Sequence, residues 1–319
     1  MTPEIAERLK LFDEDLVAFA PFVAAKDAIE ENLQLFRETG VARHMLILGE
    51  SGTGKTSLCD WVERINPPIY HEERDQIRVL IVRVPPAVSV GGIAEAFLNA
   101  LGSFWAQRSS VPAKTKQIIL LCRKCGVELI LLDEAQHLKD RGDTKSQYLI
   151  ADWLKFLLDD LALPTVMLGL PRLEELLQTN EQLRRRFSRR VFLTLGQDDA
   201  GSVGGDCLQL FTSLALPLNL PVSLAPFNNT DFGCRLHYAT DGRIAYIKKL
   251  LFAAFRKALL EDLQAIDIPL LAQAFTEEIW REGIGKLNPF DEQFVFRSLD
   301  RGGEPFERAH TGARRRGRA

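Results

Sequence analysis

The chain has 319 residues, 46% of them hydrophobic and 26% charged, with a formal net charge of −3. That composition excludes disorder over most of the chain, and at roughly 150 residues per domain it predicts about two units. No apolar run approaches the roughly 18 residues of a membrane span; the stretch Val127 to Leu132, for instance, stops at Asp133. The opening residues, Met1-Thr-Pro-Glu-Ile-Ala-Glu-Arg, are charged and carry no stretch of signal-peptide type. The expectation is a cytoplasmic protein with no membrane association. Five Cys, spread from Cys59 to Cys234, argue against a disulfide framework. Cys122 and Cys125 form a lone C-x-x-C, read as two thiols on a helix, and the five His stand at no metal-ligand spacing. The charge is uneven: Arg184 to Arg190 holds five Arg in seven positions, and the last nineteen residues hold six Arg and two acids.

In chain order, residues 1–25 read as an arm with apolar anchors, Leu11, Phe12, Leu16, Phe19 and Phe22. Ile29, Leu33 and Phe36 predict a helix over 26–38. Strand then alternates with helix. His44 to Leu48, Ile77 to Val84, Val127 to Leu132, Thr165 to Leu168 and Val191 to Leu195 read as strands, apolar or rich in β-branched residues. Between them Lys55 to Ile65, Ile93 to Leu101, Lys114 to Cys125, Tyr148 to Leu161 and Arg172 to Gln178 have helical character. On the helix over 148–161, Trp153, Leu154, Phe156, Leu157 and Leu158 read as core. Five apolar strands separated by helices predict an α/β fold, a parallel sheet covered on both faces. The Gly-rich stretch 196–205 reads as a linker. Helical periods at 206–215, 228–239, 243–262 and 268–282 predict a small helical domain, with Asp267 as N-cap and Pro269 in the first turn of the last. From Gly283 onward the chain reads as loosely ordered. The predicted organisation is an arm over 1–25, an α/β domain over 26–196, a helical domain over 197–285 and a basic flexible tail over 286–319.

Gly49 to Thr56 fits G-x-x-x-x-G-K-[ST] at every fixed position, with a strand entering and a helix leaving. Glycines let backbone N–H groups curl around phosphates, and the helix N-terminus adds partial positive charge. Gly49, Glu50, Ser51, Gly52, Thr53, Gly54, Lys55, Thr56 and Ser57 are therefore candidate nucleotide contacts. Lys55 neutralises phosphate oxygens and the Thr56 hydroxyl is a Mg²⁺ ligand. About 80 residues on, Leu129-Ile-Leu-Leu-Asp133-Glu134 is an apolar strand ending in two carboxylates. Asp133 is placed to face Mg²⁺ and Glu134 to polarise the attacking water. ATP and Mg²⁺ are the expected substrate and metal.

Together the loop GESGTGKTS, the run LLDEAQHL and the later TDGRIAYIKKLL resemble AAA+ ATPases. Within these they resemble the TniB/TnsC-type, MuB-related transposition regulators, over roughly residues 25–285. The resemblance implies a P-loop AAA+ five-stranded parallel sheet with helices on both faces plus a small helical lid. It also implies an ATPase that assembles on duplex DNA as a ring or helical filament and recruits or activates a transposase at a chosen target, alongside a target-selector protein. Lys55 and Thr56 then match the Walker A residues, and Asp133 and Glu134 the Walker B pair. Arg243, in Asp241-Gly242-Arg243, matches the sensor-2 arginine. The arginine stretch matches the place of a trans-acting arginine finger, with Arg186 the best fit and Arg185 and Arg189 as competitors. Met167-Leu168-Gly169-Leu170-Pro171 offers no polar sensor-1 residue; Gln136 is the candidate to take part of its role.

For DNA, Lys114 and Lys116, ahead of the acidic strand, and Arg141 and Lys145, after it, are candidate backbone contacts. Without aromatic interleaving, binding is expected to be sequence-tolerant. The tail arginines, Arg308, Arg314, Arg315, Arg316 and Arg318, suit either DNA phosphates or a protein partner. Three alternatives stand: a helicase loader or replication initiator, a secretion or envelope ATPase, and a nucleotide-gated scaffold with little hydrolysis. The Asp133–Glu134 pair speaks against the last.

Overall fold

The computed structural model describes residues 2–14, 19–71, 75–86, 89–103, 109–140, 144–195 and 203–307. The chain divides into two units, Ala18–Thr194 and Met1–Val17 with Leu195–Ala319.

In the first unit, β1 (His44–Leu48), β2 (Val79–Arg83), β3 (Leu129–Asp133), β4 (Thr165–Gly169) and β5 (Arg189–Phe192) form one sheet in the order β2-β3-β4-β1-β5. Every pairing is parallel. All residues of β3 and β4 are buried, as expected of strands covered on both faces. β4 lies between β1 and β3, so the phosphate-loop strand and the acidic strand are not neighbours. The connecting elements are α2 (Ala20–Thr39), α3 (Lys55–Ile65), α4 (Val90–Ala100), α5 (Val111–Cys125), the single turn α6 (His137–Asp140), α7 (Thr144–Leu161), α8 (Leu173–Thr179) and α9 (Glu181–Arg186), with α1 (Pro3–Glu14) in the other unit.

Leu46, Leu80, Phe97, Ile118, Ile130, Leu154, Met167 and Phe187 are fully buried in the core beneath these helices. Truncating such a side chain costs about 2–5 kcal/mol. Phe97 meets Trp153 edge-on, with ring centroids 6.3 Å apart. Leu154, Leu157 and Leu158 of α7 are buried as expected, but Phe156 is 55% exposed, on the outer face of its helix. Cys122 and Cys125 are buried on α5, and neither is in a disulfide. Burial, with Cys125 adding to it, pushes the Cys122 thiol up to about 12, which keeps it protonated and unreactive.

Around the arginine stretch the structure differs from the sequence expectation in two ways. β5 begins at Arg189, two residues earlier than the apolar run, because its pairing with Met45 to Leu48 starts there. On an edge strand an outward arginine is easily solvated. α9 is an additional helix. Asn180 caps it, accepting from the N–H groups of Gln182 and Leu183 at 3.1 Å each. Leu183 is its one buried residue, too little to make a periodic signal.

The second unit contains α1, α10 (Val203–Ala215), α11 (Asn229–Thr240), α12 (Ile244–Leu260) and α13 (Ile268–Glu278). Asp267 caps α13 through the Leu270 N–H at 2.9 Å, with Pro269 in the first turn. The expected arm over 1–25 is two different things. Residues 3–14 form α1, whose Phe12 packs on Phe252 and Phe255 of α12, while Ala20 already starts α2. The expected loose segment after Gly283 is folded as far as residue 307. Phe290, Phe294, Leu299 and Phe306 are buried there. Arg235, 5% exposed, donates to the carbonyls of Pro289 and Asp291 at 2.8 and 2.6 Å. Its guanidinium lies 3.9 Å from the Phe227 ring centroid. These aromatic anchors have no regular spacing, which hid them from a periodicity argument. No helix among the described residues is long and apolar enough to cross a membrane.

Candidate nucleotide site

β1 delivers the chain to the phosphate loop. Gly49 N–H donates to the Gly169 carbonyl at 3.1 Å, so the loop leaves the sheet tied to the end of β4. A Cβ at Gly49 would lie 2.3 Å from Thr53 Oγ1; only glycine lets Thr53 fold under the loop, fully buried, with its hydroxyl on the Glu50 carbonyl at 2.9 Å. Gly54 stands at φ +94° immediately before α3, in the left-handed region where side chains are strained. α3 starts at Lys55 with no side-chain cap. Its first N–H groups and positive dipole end therefore remain for anionic oxygens. Lys55 is 6% exposed and its Nζ donates to the carbonyls of Gly49 and Glu50 at 2.7 and 2.9 Å. Thr56, beside it, is exposed.

Asp133 ends β3 at 2% exposure. Burial pushes its carboxyl above the usual range. The Glu134 charge adds to this, and the Glu134 N–H, Arg83 and Lys55 oppose it. Lys55, at the start of α3, thus acts electrostatically on Asp133 although β4 separates the strand before its loop from β3. Glu134 has φ +56°, a strained conformation for a residue with a side chain and one that collects at functional sites. Its N–H donates to Asp133 Oδ1 at 2.8 Å, and its carboxylate accepts from Gln136 Nε2. Gln136 is 3% exposed, and its Oε1 accepts from the Leu170 N–H at 3.2 Å. Its hydrogen bonds thus run to the protein itself. Arg83 escaped sequence analysis. It ends β2 in register with Asp133 and lies 3.8 Å from Asp60; the signal was a cation closing an apolar strand.

The loop fits a nucleotide triphosphate, since the glycine cradle, the uncapped helix end and the lysine converge. For Mg²⁺ the donors are one exposed hydroxyl, Thr56, and one buried carboxylate, Asp133. That pair suits a cation which takes one or two protein ligands and completes its shell with phosphates and water. Among the described residues no group of three or more His, Cys, Asp or Glu is placed to hold a metal.

The arginine stretch lies at the other end of the sheet. A cleft of about 740 Å³ is lined by Glu31, Asn32, His44, Arg185, Arg186 and Arg189, among others. His44 opens β1, whereas the phosphate loop follows its last residue. Arg186 pairs with Asp159 at 2.6 Å, Arg189 with Glu31 at 2.7 Å and Arg185 with Glu181 at 2.6 Å. Arg243, in the helical unit, is 9% exposed and donates to the Asp241 carboxylate through Nε at 3.1 Å and Nη2 at 2.7 Å.

One DNA candidate is corrected. Lys114 is 4% exposed and ion-paired with Glu95 of α4; a buried, neutralised ammonium cannot release counterions from a DNA backbone. Lys116, two positions on, is exposed. Arg141, the Lys145 side chain, residues 196–202 and all the tail arginines from Arg308 lie outside the described residues.

The profile of the bacterial TniB protein family matches residues 10–195, more than half the chain. The chain belongs to the TniB family. The matched span contains the phosphate loop, the Asp133–Glu134 pair and the arginine stretch. No curated protein sequence matches the chain. Among solved structures, CDC6P of Pyrobaculum aerophilum is similar at TM-score 0.61 and 13% identity, over 87% of this chain and 72% of that one. The Aeropyrum pernix ORC2 protein, in ADPNP-ADP complexes, gives 0.59 and 14%, over 84% and 71%. The Aeropyrum pernix ORC1 protein in complex with DNA gives 0.57 and 15%, over 80% and 64%. At these identities the likeness is one of fold. This TniB-family chain has the P-loop AAA+ fold, a five-stranded parallel sheet with helices.

Proposed function

We propose that this TniB-family chain is an ATP-hydrolysing switch that assembles on duplex DNA, as a ring or helical filament, and there recruits or activates a transposase. The observation that carries the reading is the convergence of an uncapped helix end bearing Lys55 with the Asp133–Glu134 pair at the end of β3. The TniB match supports the transposition context. The solved ORC structures supply precedents for nucleotide and for DNA on the same fold.

The chemistry follows from the residues. The loop N–H groups and the start of α3 bind the phosphates, and Lys55 exchanges its loop carbonyls for phosphate oxygens. Thr56 and Asp133 are the residues to hold Mg²⁺, which when bound neutralises charge on the β- and γ-phosphates. Glu134 takes the proton of the attacking water. The arginine cleft and the phosphate loop lie at opposite ends of β1, a five-residue strand spanning about 16 Å at ~3.3 Å per residue. Arg186, with Arg185 or Arg189 as alternatives, is therefore suited to a neighbouring subunit's nucleotide rather than its own, so ATP favours assembly and hydrolysis releases it. Arg243 is proposed as a further phosphate-sensing residue. Exposed Lys116 is the surviving described candidate for backbone contact, with Arg141 and Lys145 beside it in the proposal.

Electron microscopy of the protein with duplex DNA, with and without ATP, tests the reading. Ordered assemblies on DNA that require ATP are expected, and a transposase should co-sediment with them. DNA-bound order that is indifferent to nucleotide would overturn the switch; a helicase in place of the transposase would favour the loader reading.

A further inference from the structure

The side chain of Gln136 is used at both ends. Its Nε2 donates to the Glu134 carboxylate and its Oε1 accepts from the Leu170 N–H at 3.2 Å. The amide is 3% exposed, so neither bond is exchanged freely with water. The end of β4 is shaped around it. A Cβ at Gly169 would come within 2.9 Å of Gln136 Oε1, 3.1 Å of Gln136 N and 3.1 Å of Leu173 Cδ2. The Ala135 N–H also donates to the Leu168 carbonyl at 2.9 Å. The segment Glu134 to Gln136 is thus stitched to the β4 end by a backbone bond and by the amide. From there the chain runs through Leu170 into α8 and α9, the helix that carries Arg185 and Arg186. A second tie joins the same two regions, since Lys139 of α6 pairs with Glu175 of α8.

We infer that Gln136 is a positioning residue that restrains the Glu134 carboxylate in the resting subunit, and that movement of the β4–α8 segment releases it. The inference rests on the reading of Glu134 as the base. A carboxylate oxygen that accepts a buried amide hydrogen bond has one fewer lone pair and less rotational freedom with which to meet a water. Glu134, strained at φ +56° and half-exposed, keeps only a looser 3.9 Å contact with His137 Nε2 once that bond is lost. Because the acceptor end of the amide reads the Leu170 N–H, a shift of α8 and α9 against a neighbouring subunit breaks the bridge at its far end. Hydrolysis is then held back until the arginines of α9 are engaged.

The test is the steady-state ATPase of Gln136→Leu, which keeps the bulk and loses both bonds, with and without duplex DNA. A lost hydrogen bond to a charged group corresponds to roughly a tenfold rate factor. DNA-free kcat should rise by about that factor, KM for ATP should stay within about threefold, and stimulation by DNA should shrink correspondingly. A rise in activity is not an effect that structural damage produces. Gln136→Asn, one methylene too short to span both partners, should behave likewise and decides the matter if the leucine variant folds poorly. Glu134→Gln placed on top of Gln136→Leu should abolish the gain. Unchanged or reduced DNA-free kcat, in variants that still bind a fluorescent ATP analogue, overturns the restraint. A gain that survives Glu134→Gln overturns the assignment of Glu134 as base instead.

Discussion

Lys55→Ala separates what the lysine does for the loop from what it does for the nucleotide. Without ligand, the ammonium joins two loop carbonyls, at 2.7 and 2.9 Å, and is 6% exposed. Two buried hydrogen bonds contribute about 1–3 kcal/mol net, and removing a buried charge gives part of that back. The unliganded variant should therefore melt only a few degrees lower, at ~2–4 °C per kcal/mol for a unit of this size. The nucleotide effect is larger. A ligand at a hundred times its Kd stabilises the folded state by about 2.7 kcal/mol, or roughly 5–10 °C. Differential scanning fluorimetry with a non-hydrolysable ATP analogue measures both in one series. The wild type should show the full ligand shift and Lys55→Ala nearly none at the same concentration. A variant that melts lower yet keeps its ligand shift would show that the lysine only braces the loop.

Glu134→Gln should retain that ligand shift while hydrolysis falls by about 10²-fold or more, read as phosphate release; DNA-bound assemblies should then outlive those of the wild type. Asp133→Asn tests the buried carboxylate. Folding raises its pKa, so the native state binds the proton more tightly than the unfolded chain, and the ionised form costs stability that is recovered as pH falls through the folded pKa. The unliganded asparagine variant should accordingly unfold at higher denaturant than the wild type at pH 8, the gap closing on acidification; a gap that widens instead refutes this. Lys116→Ala should flatten the salt dependence of duplex binding by about one unit, whereas Lys114→Met should leave the slope unchanged and alter stability. Arg186→Ala subunits should hydrolyse poorly alone yet regain activity when mixed with Lys55→Ala subunits, one supplying the pocket and the other the finger; no recovery in mixed assemblies rejects action in trans.

The phosphate loop was legible because everything that defines it is local: a strand, three glycines, a lysine and a helix within a dozen residues. Asp133 and Glu134 were legible for the same reason. Lys114 was misread because its partner, Glu95, lies nineteen residues earlier on a different helix, and a lysine in Val-Pro-Ala-Lys-Thr-Lys looks solvated until that helix is packed beside it. The partners of Gln136 were equally invisible. A sequence shows a glutamine two residues after a glutamate, but not that β4 inserts between β1 and β3 and brings Leu170 to its side. The missing polar residue at the β4 end has a steric counterpart, since the space beyond Gly169 is filled by the Gln136 amide. Arg83 needed the register of β2 against β3 to be seen beside Asp133.

The ion pairs of the arginine stretch do not weigh against a role in trans. Each is at least partly exposed, and such pairs contribute about 0–1 kcal/mol, whereas an arginine finger supplies a factor of about 10³–10⁵, or roughly 4–7 kcal/mol. Exchanging a carboxylate within the subunit for a phosphate on its neighbour is therefore inexpensive, and what distinguishes the candidates is how well each is held. Arg185 pairs with Glu181 one turn away on its own short helix, so its position is only as fixed as that helix. Arg189 pairs with Glu31 across a widely exposed contact. Arg186 reaches Asp159 on α7, and the next residue, Phe187, is fully buried with its ring 5.1 Å from that of His44. Burial, with Arg186 nearby, lowers the His44 pKa to about 4, so at neutral pH the imidazole adds no charge beside the guanidinium. A finger must meet a transferring phosphoryl group within a fraction of an ångström. The arginine whose backbone is anchored by a core phenylalanine, and whose side chain is released at the cost of one surface pair and a 3.3 Å hydrogen bond to the Gln182 carbonyl, meets that demand better than its two competitors.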